Sequence, residues 1–216
     1  MSRIDAALAT EWSQTMLGNY GVPRIELVRG KGAEVWDRNG SRYLDLLAGI
    51  AVSALGHGDS RIAVAVADQA AQLAHTSNLY AHRPGLDLAR KLLTLAESQG
   101  RVLFTQDGAT ANEAAIKLAR RHGYAMHPDG SKQRVIATHG GFHGRTLATM
   151  SASGKEGWDT MFAPQVPGFP KAELNDIQSV QRLISEKTVA VMLEPVQGEG
   201  GVIPADHDFM RALRAL

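Results

Sequence analysis

After Gly56 the sequence alternates between helical patterns and short apolar runs, and this alternation limits the chain to few folds. Strands that alternate with helices pair in parallel and need helices on the faces of the sheet. We therefore expect an α/β arrangement with a mostly parallel sheet, whose strands lie at 102–104, 135–137 and 189–193. Apolar residues at helical spacing predict helices at Ile62, Val66, Ala70 and Leu73, from Pro84 through Leu86, Ala89 and Leu93, at Ala111, Ala115 and Leu118, at Ile177, Val180, Leu183 and Ile184, and from about Asp206.

The residues before Gly56 predict a different arrangement, a small antiparallel meander. Extended stretches at 25–28, 33–36 and 42–44 are separated by turn residues. Asn39-Gly40 between two of them favours a tight hairpin turn, because both residue types tolerate positive φ. We accordingly predict an N-terminal segment at 1–55 and an α/β part at 56–216.

The charge balance and the lack of cysteine exclude several classes of protein. The 216 residues carry 23 basic and 22 acidic side chains, so a net charge of +1 attracts neither nucleic acid nor an anionic membrane. Without cysteine the chain has no disulfide, thiolate nucleophile or cysteine-based metal site. The first twenty residues do not resemble a signal peptide, and no apolar run approaches the ~18 residues of a membrane span. The sequence predicts a soluble cytoplasmic protein.

A helix is predicted to begin directly after a strand at Asp107-Gly108-Ala109. The first backbone N–H groups of such a helix and its dipole favour an anion in the turn, and a glycine there lets a phosphate approach the backbone closely. The same residues have a simpler interpretation, in which Asp107 only caps a helix that Gly123 ends. The turn by itself leaves both interpretations open.

The segment GFHGRT at 141–146 lies just beyond the strand predicted at 135–137. Open α/β sheets bind ligands beyond the carboxyl ends of their strands, so this loop is placed to line a site. Phe142 offers an aromatic face for a planar ring, and Arg145 offers a planar fork for a carboxylate. A core phenylalanine and a surface arginine are the alternative interpretation.

His139 and His143 stand four residues apart, a spacing that can hold a metal ion when both side chains lie on one helix. Gly140 and Gly141 between them argue against a helix. We predict two loop histidines and no metal site.

The third motif is the most specific. Glu194 directly follows the apolar strand predicted at 189–193, and Glu199 lies in a glycine-rich turn at 197–201. A plain loop can need glycines, but it does not need this ordered set of polar side chains at the end of a strand. The motif therefore predicts a functional site at the same edge of the sheet.

Together these motifs resemble class III pyridoxal-phosphate aminotransferases, above all the subfamily that acts on acetylornithine. The similarity runs in the family's order from about Asn19 to Leu216 and includes the segments at 28–32, 55–58 and 77–80. The resemblance implies fold type I of the pyridoxal-phosphate enzymes. We therefore expect this chain to contain the N-terminal meander and the first part of the large cofactor-binding domain, which would be incomplete here.

The resemblance also implies which residues hold the cofactor, pyridoxal 5'-phosphate. Gly108 and Ala109 match the turn whose backbone amides bind the phosphate, and Phe142 matches the residue that packs on the ring. Asp107 stands where the family has serine or threonine. A carboxylate within ~4 Å of a phosphate is repulsive by about 1 kcal/mol or more, unless it turns back to cap the helix.

Arg145 and Tyr20 match residues that contact the substrate, although Tyr20 is equally compatible with an ordinary half-buried tyrosine. Glu199 matches a carboxylate that pairs with an arginine in the C-terminal part of the family. Glu194 matches one that supports the aspartate beneath the ring nitrogen. None of the seven lysines stands in the family's Schiff-base context, so the catalytic residue stays unassigned.

The implied activity is amino transfer from N-acetylornithine to 2-oxoglutarate in arginine biosynthesis, by an enzyme that is a homodimer. Ornithine and 4-aminobutyrate aminotransferases are alternatives. We expect the chain to represent the N-terminal half of such an enzyme and to be inactive alone. An alternative of a different class is a non-catalytic fragment or a subunit that binds a partner.

Overall fold

The computed structural model describes residues 4–216, and the chain divides into two compact units, one ending at Lys91 and one beginning at Leu92. The predicted division between residues 55 and 56 stays a prediction. The helices are α1 (Ala6–Thr15), α2 (Ala48–Ala51), α3 (Ser60–Gln72), α4 (Arg83–Leu95), α5 (Gly108–Met126), α6 (Leu147–Ala152), α7 (Ile177–Leu183) and α8 (His207–Ala215). The strands are β1 (Leu27–Lys31), β2 (Glu34–Asp37), β3 (Arg42–Leu44), β4 (Arg134–Thr138), β5 (Lys171–Ala172), β6 (Thr188–Val191), β7 (Val196–Gln197) and β8 (Ile203–Pro204).

The first unit contains the predicted meander, in which β1, β2 and β3 pair antiparallel in that order. The turn between β2 and β3 forms where the sequence predicts it, but only Gly40 takes a positive φ, of 78°. The buried Asp37 carboxylate explains the difference, since it accepts the backbone N–H groups of Asn39 (3.0 Å) and Ser41 (2.8 Å). The Tyr43 hydroxyl also donates to Asp37 (2.8 Å), so this side chain fixes a turn longer than two residues.

A second backbone segment closes on the meander at His57. Its backbone exchanges two hydrogen bonds with Gly32, each of 2.8 Å, and its Nε2 lies 2.7 Å from the Asp45 carboxylate. That hydrogen bond lowers the pKa of Asp45 below its ordinary value. A Cβ on Gly56, whose φ is 76°, would lie 2.7 Å from the Gly32 carbonyl oxygen. Only glycine therefore fits at this crossing.

Helices α3 and α4 form where helical spacing predicts them, but neither buries a side chain within the described residues. Asp59 starts α3 by accepting the Arg61 backbone N–H at 2.9 Å. The apolar positions Ile62, Val66 and Leu86 are each about half exposed. The periodicity thus predicts the helices correctly, while the surface against which they would pack is not formed by residues 4–216.

The second unit is built on a parallel sheet with strand order β5-β4-β6, as the sequence predicts. Val135 pairs with Ala190, and Thr138 pairs with Ala172. The strand predicted at 102–104 is wrong, since this segment pairs with no strand among residues 4–216 and its apolar side chains are largely exposed. Apolar character alone does not make a strand, because the backbone groups also need a partner.

The core of the second unit lies between β4 and the two helices that follow β5 and β8. Its fully packed members are Ile136, Ala172, Val180 and Phe209. Both helices confirm their prediction, α7 with Asp176 as N-cap and α8 with Asp206 before its first residue. Partly buried residues packed against this core are Leu174, Ile177, Leu183, Val191, Leu193, Ala205, Met210 and Leu213.

Gly123 does not end α5, contrary to the simpler interpretation of this segment, since the helix continues to Met126. The glycine is buried, and a Cβ there would lie 1.9 Å from the Lys132 carbonyl oxygen. It therefore lets the backbone at Lys132 approach the helix closely.

Of the helices within residues 4–216, none combines the length and the apolar character that crossing a bilayer needs.

Candidate active site

The start of α5 presents two backbone N–H donors that the helix itself does not use. Asp107 accepts the Thr110 backbone N–H at 2.7 Å, and the Thr110 hydroxyl accepts the Asp107 backbone N–H at 3.1 Å. This reciprocal pair is a capping box, so the Asp107 carboxylate is turned back onto the helix. As the first two helical residues, Gly108 and Ala109 have N–H groups with no intrahelical acceptor. The dipole adds positive potential at the same place.

Two side chains of the first turn and a half of α5 hold the loop at 141–146. The Asn112 amide donates to the His143 carbonyl oxygen at 2.7 Å. The Thr146 hydroxyl donates to the Glu113 carboxylate at 2.5 Å. The first and second sequence motifs are thus joined by side chains of α5.

Gly144 lets this loop come close to the helix start. Its φ is 129°, and a Cβ there would lie 2.7 Å from the Ala109 Cβ and 2.8 Å from the Thr149 hydroxyl. A larger residue would displace either the loop or the helix turn. The glycine therefore keeps the predicted phosphate turn and the predicted ring-binding loop in contact.

Phe142 is fixed both through its backbone and through its ring. Its backbone N–H donates to the Glu194 carboxylate at 2.8 Å, which joins the second motif to the third. The ring meets Trp158 edge to face, with centroids 5.9 Å apart and planes at 67°. The ring itself is half-buried, so it is positioned by the fold and still partly accessible.

Gln197, for which the sequence predicts no separate role, lies in the interior. Its amide donates to the Thr138 hydroxyl at 3.0 Å and to the His139 carbonyl oxygen at 2.8 Å. The side chain is 2% exposed and ties the turn at 197–201 to the end of β4. The sequence shows only that a polar residue lies in a glycine-rich turn after a strand, a signal that does not say which side chain turns inward.

His143 is buried, and its Nε2 has no hydrogen-bond partner among the described residues. Burial lowers the pKa of His143 below its ordinary value, and the nearby Glu194 charge offsets part of that shift. Its backbone N–H donates to the Ser153 hydroxyl at 2.9 Å. The imidazole is therefore neutral at pH 7.

Within the described part of the chain, no group of three His, Asp or Glu side chains could hold a metal ion.

Glu199 pairs with Lys155, with 3.1 Å between its carboxylate and Nζ, and both side chains are about half exposed. The Lys155 ammonium also lies 5.4 Å from the centroid of the Trp158 ring, the same ring that meets Phe142. The short segment at 155–158 thus contacts two predicted site residues, Phe142 and Glu199. The sequence did not indicate this ion pair, because its partners are 44 residues apart.

Arg145 and Tyr20 are the predicted substrate contacts. Arg145 is exposed on the loop that carries Phe142. Tyr20 belongs to the first unit and is 78% exposed. Neither position identifies a ligand by itself, so both roles stay predictions.

The comparisons with known proteins identify the family. Residues 17–216 match the family model described as aminotransferase class-III. The chain belongs to this family. Class III aminotransferases are pyridoxal-phosphate enzymes, and the α/β arrangement found here is part of their fold type I.

Individual class III aminotransferases show how much of the family the chain represents. Acetylornithine aminotransferase 2 of Bordetella pertussis is 54% identical over 194 residues, which cover 90% of this chain and 48% of that protein. Succinylornithine transaminase of Yersinia enterocolitica is 43% identical over 213 residues, covering 95% of this chain and 50% of that protein. The crystal structure of ornithine aminotransferase from Toxoplasma gondii superposes with a TM-score of 0.89 at 29% identity, covering 99% of this chain and 51% of that one. The chain spans about half the length of the relatives it matches.

The residues present fit the phosphate and the ring of the family's cofactor. Gly108 and Ala109 offer two N–H donors that α5 does not use. Apart from the two neighbouring residues and the backbone of α5, no described atom lies within 4 Å of the place where a Gly108 side chain would begin. The Asp107 carboxylate is turned back onto the Thr110 N–H, as the helix-capping interpretation predicts. Phe142 supplies a half-buried ring held from two sides.

Proposed function

We propose that the protein takes part in amino transfer from N-acetylornithine to 2-oxoglutarate and uses pyridoxal 5'-phosphate. The observation that carries the proposal is the junction of α5 and the loop at 141–146, where two unused N–H donors lie beside the segment of Phe142 and Arg145. Family membership supports the reaction type, and the 54% identical relative named acetylornithine aminotransferase supports the amino donor.

When bound, the cofactor supplies an electron sink for the reacting amino acid. The N–H groups of Gly108 and Ala109 bind its phosphate, assisted by the α5 dipole. Phe142 packs on its ring, and the Glu194 carboxylate holds the Phe142 backbone in place at 2.8 Å. Lys155 and Trp158 hold this side of the site together through the contacts that they make with Glu199 and Phe142.

Arg145 binds a substrate carboxylate, because its planar fork can donate two parallel hydrogen bonds. Tyr20 contacts the substrate from the N-terminal segment. Glu199 is a carboxylate that can exchange partners, and Lys155 is the partner it has in this structure. An exposed ion pair of this kind is worth about 0 to 1 kcal/mol, so it opens readily when another cation competes.

Succinylornithine is the second candidate donor, because a relative named succinylornithine transaminase is 43% identical over 95% of the chain. Ornithine and 4-aminobutyrate remain alternatives from the sequence. A non-catalytic or partner-binding fragment is the alternative of a different class. We further propose that the protein is cytoplasmic and works as a homodimer, which the apolar residues exposed in the first unit support.

Glutamate formation from 2-oxoglutarate tests the proposal. None of the seven lysines stands in the family's Schiff-base context, so the chain is joined to the C-terminal half of a class III relative for this assay. The joined protein, saturated with pyridoxal phosphate, is assayed with N-acetylornithine, N-succinylornithine, ornithine and 4-aminobutyrate. We expect the highest kcat/KM with N-acetylornithine. Cofactor binding is measured separately by equilibrium dialysis, and tight binding without glutamate from any donor would contradict the proposed activity.

Substitution of Arg145 tests the carboxylate site. In the same joined protein, Arg145→Lys keeps the charge but loses the fork, so we expect the KM for 2-oxoglutarate to rise about tenfold. Arg214→Lys, on the exposed last turn of α8, is the matched control and should leave KM unchanged. Equal KM values in the two variants would remove Arg145 from substrate binding.

A further inference from the structure

Lys171 is a half-buried lysine at the start of β5 that the proposed reaction does not use. Its Nζ donates to the Ser151 carbonyl oxygen at 2.6 Å and to the Phe169 carbonyl oxygen at 3.0 Å. Neither acceptor is charged, so no carboxylate among its hydrogen-bond partners stabilises the ammonium form. Burial lowers the pKa of Lys171 to about 8.

Lys171 lines a cavity of about 550 Å³ in the second unit. The ionisable side chains that share this cavity have both signs, so no single charge dominates it. A cavity of this volume admits a small acyl group together with its leaving group. The ionisable residues are His139, Lys155, Glu156, Asp159 and Lys171 itself.

The hydrogen bonds of Lys171 can also be made by the neutral amine. A neutral amine has two N–H groups and one lone pair, whereas an ammonium has three N–H groups and no lone pair. The carbonyl oxygens of Ser151 and Phe169 take two hydrogens. In the neutral form both hydrogen bonds persist and the lone pair stays unused. Loss of the proton therefore frees a lone pair while the side chain stays held in place.

We propose that Lys171 is an acylation site, which takes a small acyl group from an activated donor of the acyl phosphate class. The amine lone pair forms a bond to the carbonyl carbon, and the bond from that carbon to the phosphate oxygen breaks. Phosphate leaves with the electron pair, and the amine loses one proton to water. The product is an amide, and no oxidant or reductant is needed.

Acylation changes what Lys171 can do in the fold. The amide has one N–H, so it can keep only one of the hydrogen bonds to Ser151 and Phe169. The positive charge is also lost. His143 senses that charge, since Lys171 contributes to the lowering of the His143 pKa. A modification outside the cofactor residues thus reaches the loop that carries Phe142.

Lys155 is the internal comparison, because it lines the same cavity but pairs with Glu199 and is about half exposed. Both lysines therefore meet the same donor at similar concentration. At pH 8 about half of an amine with a pKa near 8 is neutral, against about 0.4% of a lysine at the reference value of ~10.4. A less basic amine is also a weaker nucleophile, so we expect a net advantage of about tenfold for Lys171.

The experiment treats the protein with acetyl phosphate at pH 7 to 10 and measures the rate at each lysine by peptide mass spectrometry. We expect Lys171 to react about tenfold faster than Lys155 at pH 8 and to reach its plateau above about pH 9. Denatured protein should show equal rates at the two sites. Lys171→Arg can still donate to both carbonyl oxygens but has no amine to acylate. It should abolish the label at 171 and leave the Lys155 rate unchanged.

A rate at Lys171 equal to or below that at Lys155 at pH 8 would overturn the proposal. A rate that still rises tenfold per pH unit up to pH 10 would do the same, since it would show a lysine of ordinary basicity. The readout involves no amino transfer, so the result is independent of the proposed function.

Discussion

The two units of this chain differ sharply in how they use their apolar residues. The second unit packs Ile136, Val180 and Phe209 into one core, and its motifs are joined to that core by buried hydrogen bonds. Among residues 4–91, by contrast, only Val35 and Asp37 are buried, and residues such as Leu79 are more than four-fifths exposed. The residues proposed to bind the cofactor are therefore held together within one unit. The apolar residues of the other still need a surface to cover them.

The largest effect should come from truncating an apolar residue in each unit. Phe209→Ala leaves a cavity in the core and should lower the free energy of unfolding by about 3–5 kcal/mol. Leu79→Ala removes an 86% exposed side chain and should change it by less than about 0.5 kcal/mol. Urea unfolding followed by circular dichroism measures both values. Similar losses for the two variants would mean that the first unit has a core of its own.

An intermediate effect should separate buried from exposed polar contacts within the second unit. Gln197→Leu leaves the Thr138 hydroxyl and the His139 carbonyl oxygen without their donor and should cost about 1–3 kcal/mol. Glu199→Gln only weakens an exposed ion pair with Lys155 and should cost less than about 1 kcal/mol. The comparison fails if the same unfolding measurement ranks the two variants in the opposite order.

The smallest effect should be a dependence of stability on pH that originates at His143. Its folded-state pKa lies below the ordinary value of 6.5, so the unfolded state binds the extra proton more readily. Stability should therefore be complete above pH 6.5 and should fall as the pH decreases below it. His143→Gln should flatten the curve below pH 6.5. His122→Gln, on the exposed surface of α5, should leave the curve as it is in the parent protein.

The local spacing of apolar residues predicted most of the second unit. In β4, β6, α7 and α8, the apolar residues that show this spacing are also the ones that pack in the fold. It failed for the segment at 102–104, where strand formation depends on a partner that no local window contains. It also failed at Gly123, where a glycine serves a contact with the 132 backbone instead of a helix end. The turn of α5 was correctly identified, including the possibility that Asp107 caps the helix.

Contacts that join distant parts of the sequence could not be predicted in the candidate site. Glu194 binds the Phe142 backbone across 52 residues, and Gln197 binds Thr138 across 59. Motif spacing names these residues as important but does not say which groups they meet. Trp158 lies outside the sequence motifs, and its contact with Phe142 depends on how the loop after α6 folds.

The backbone N–H groups at the start of α5 are the proposed binding site of the cofactor phosphate. Gly108→Pro tests it, because proline suits the first helical position and lacks the N–H. Asp107 before it is extended, with φ −157° and ψ 177°, as a residue preceding proline prefers. Gly108→Ala keeps the N–H, and outside the neighbouring residues and the α5 backbone its Cβ would meet no described atom within 4 Å.

The decisive measurement is the affinity of both variants for pyridoxal 5'-phosphate, by equilibrium dialysis at fixed pH and salt. A hydrogen bond to a charged group is worth about 1.5–3 kcal/mol, so Gly108→Pro should raise Kd by tenfold or more. Gly108→Ala should bind as the parent does. Equal Kd values for the proline and alanine variants would contradict the account.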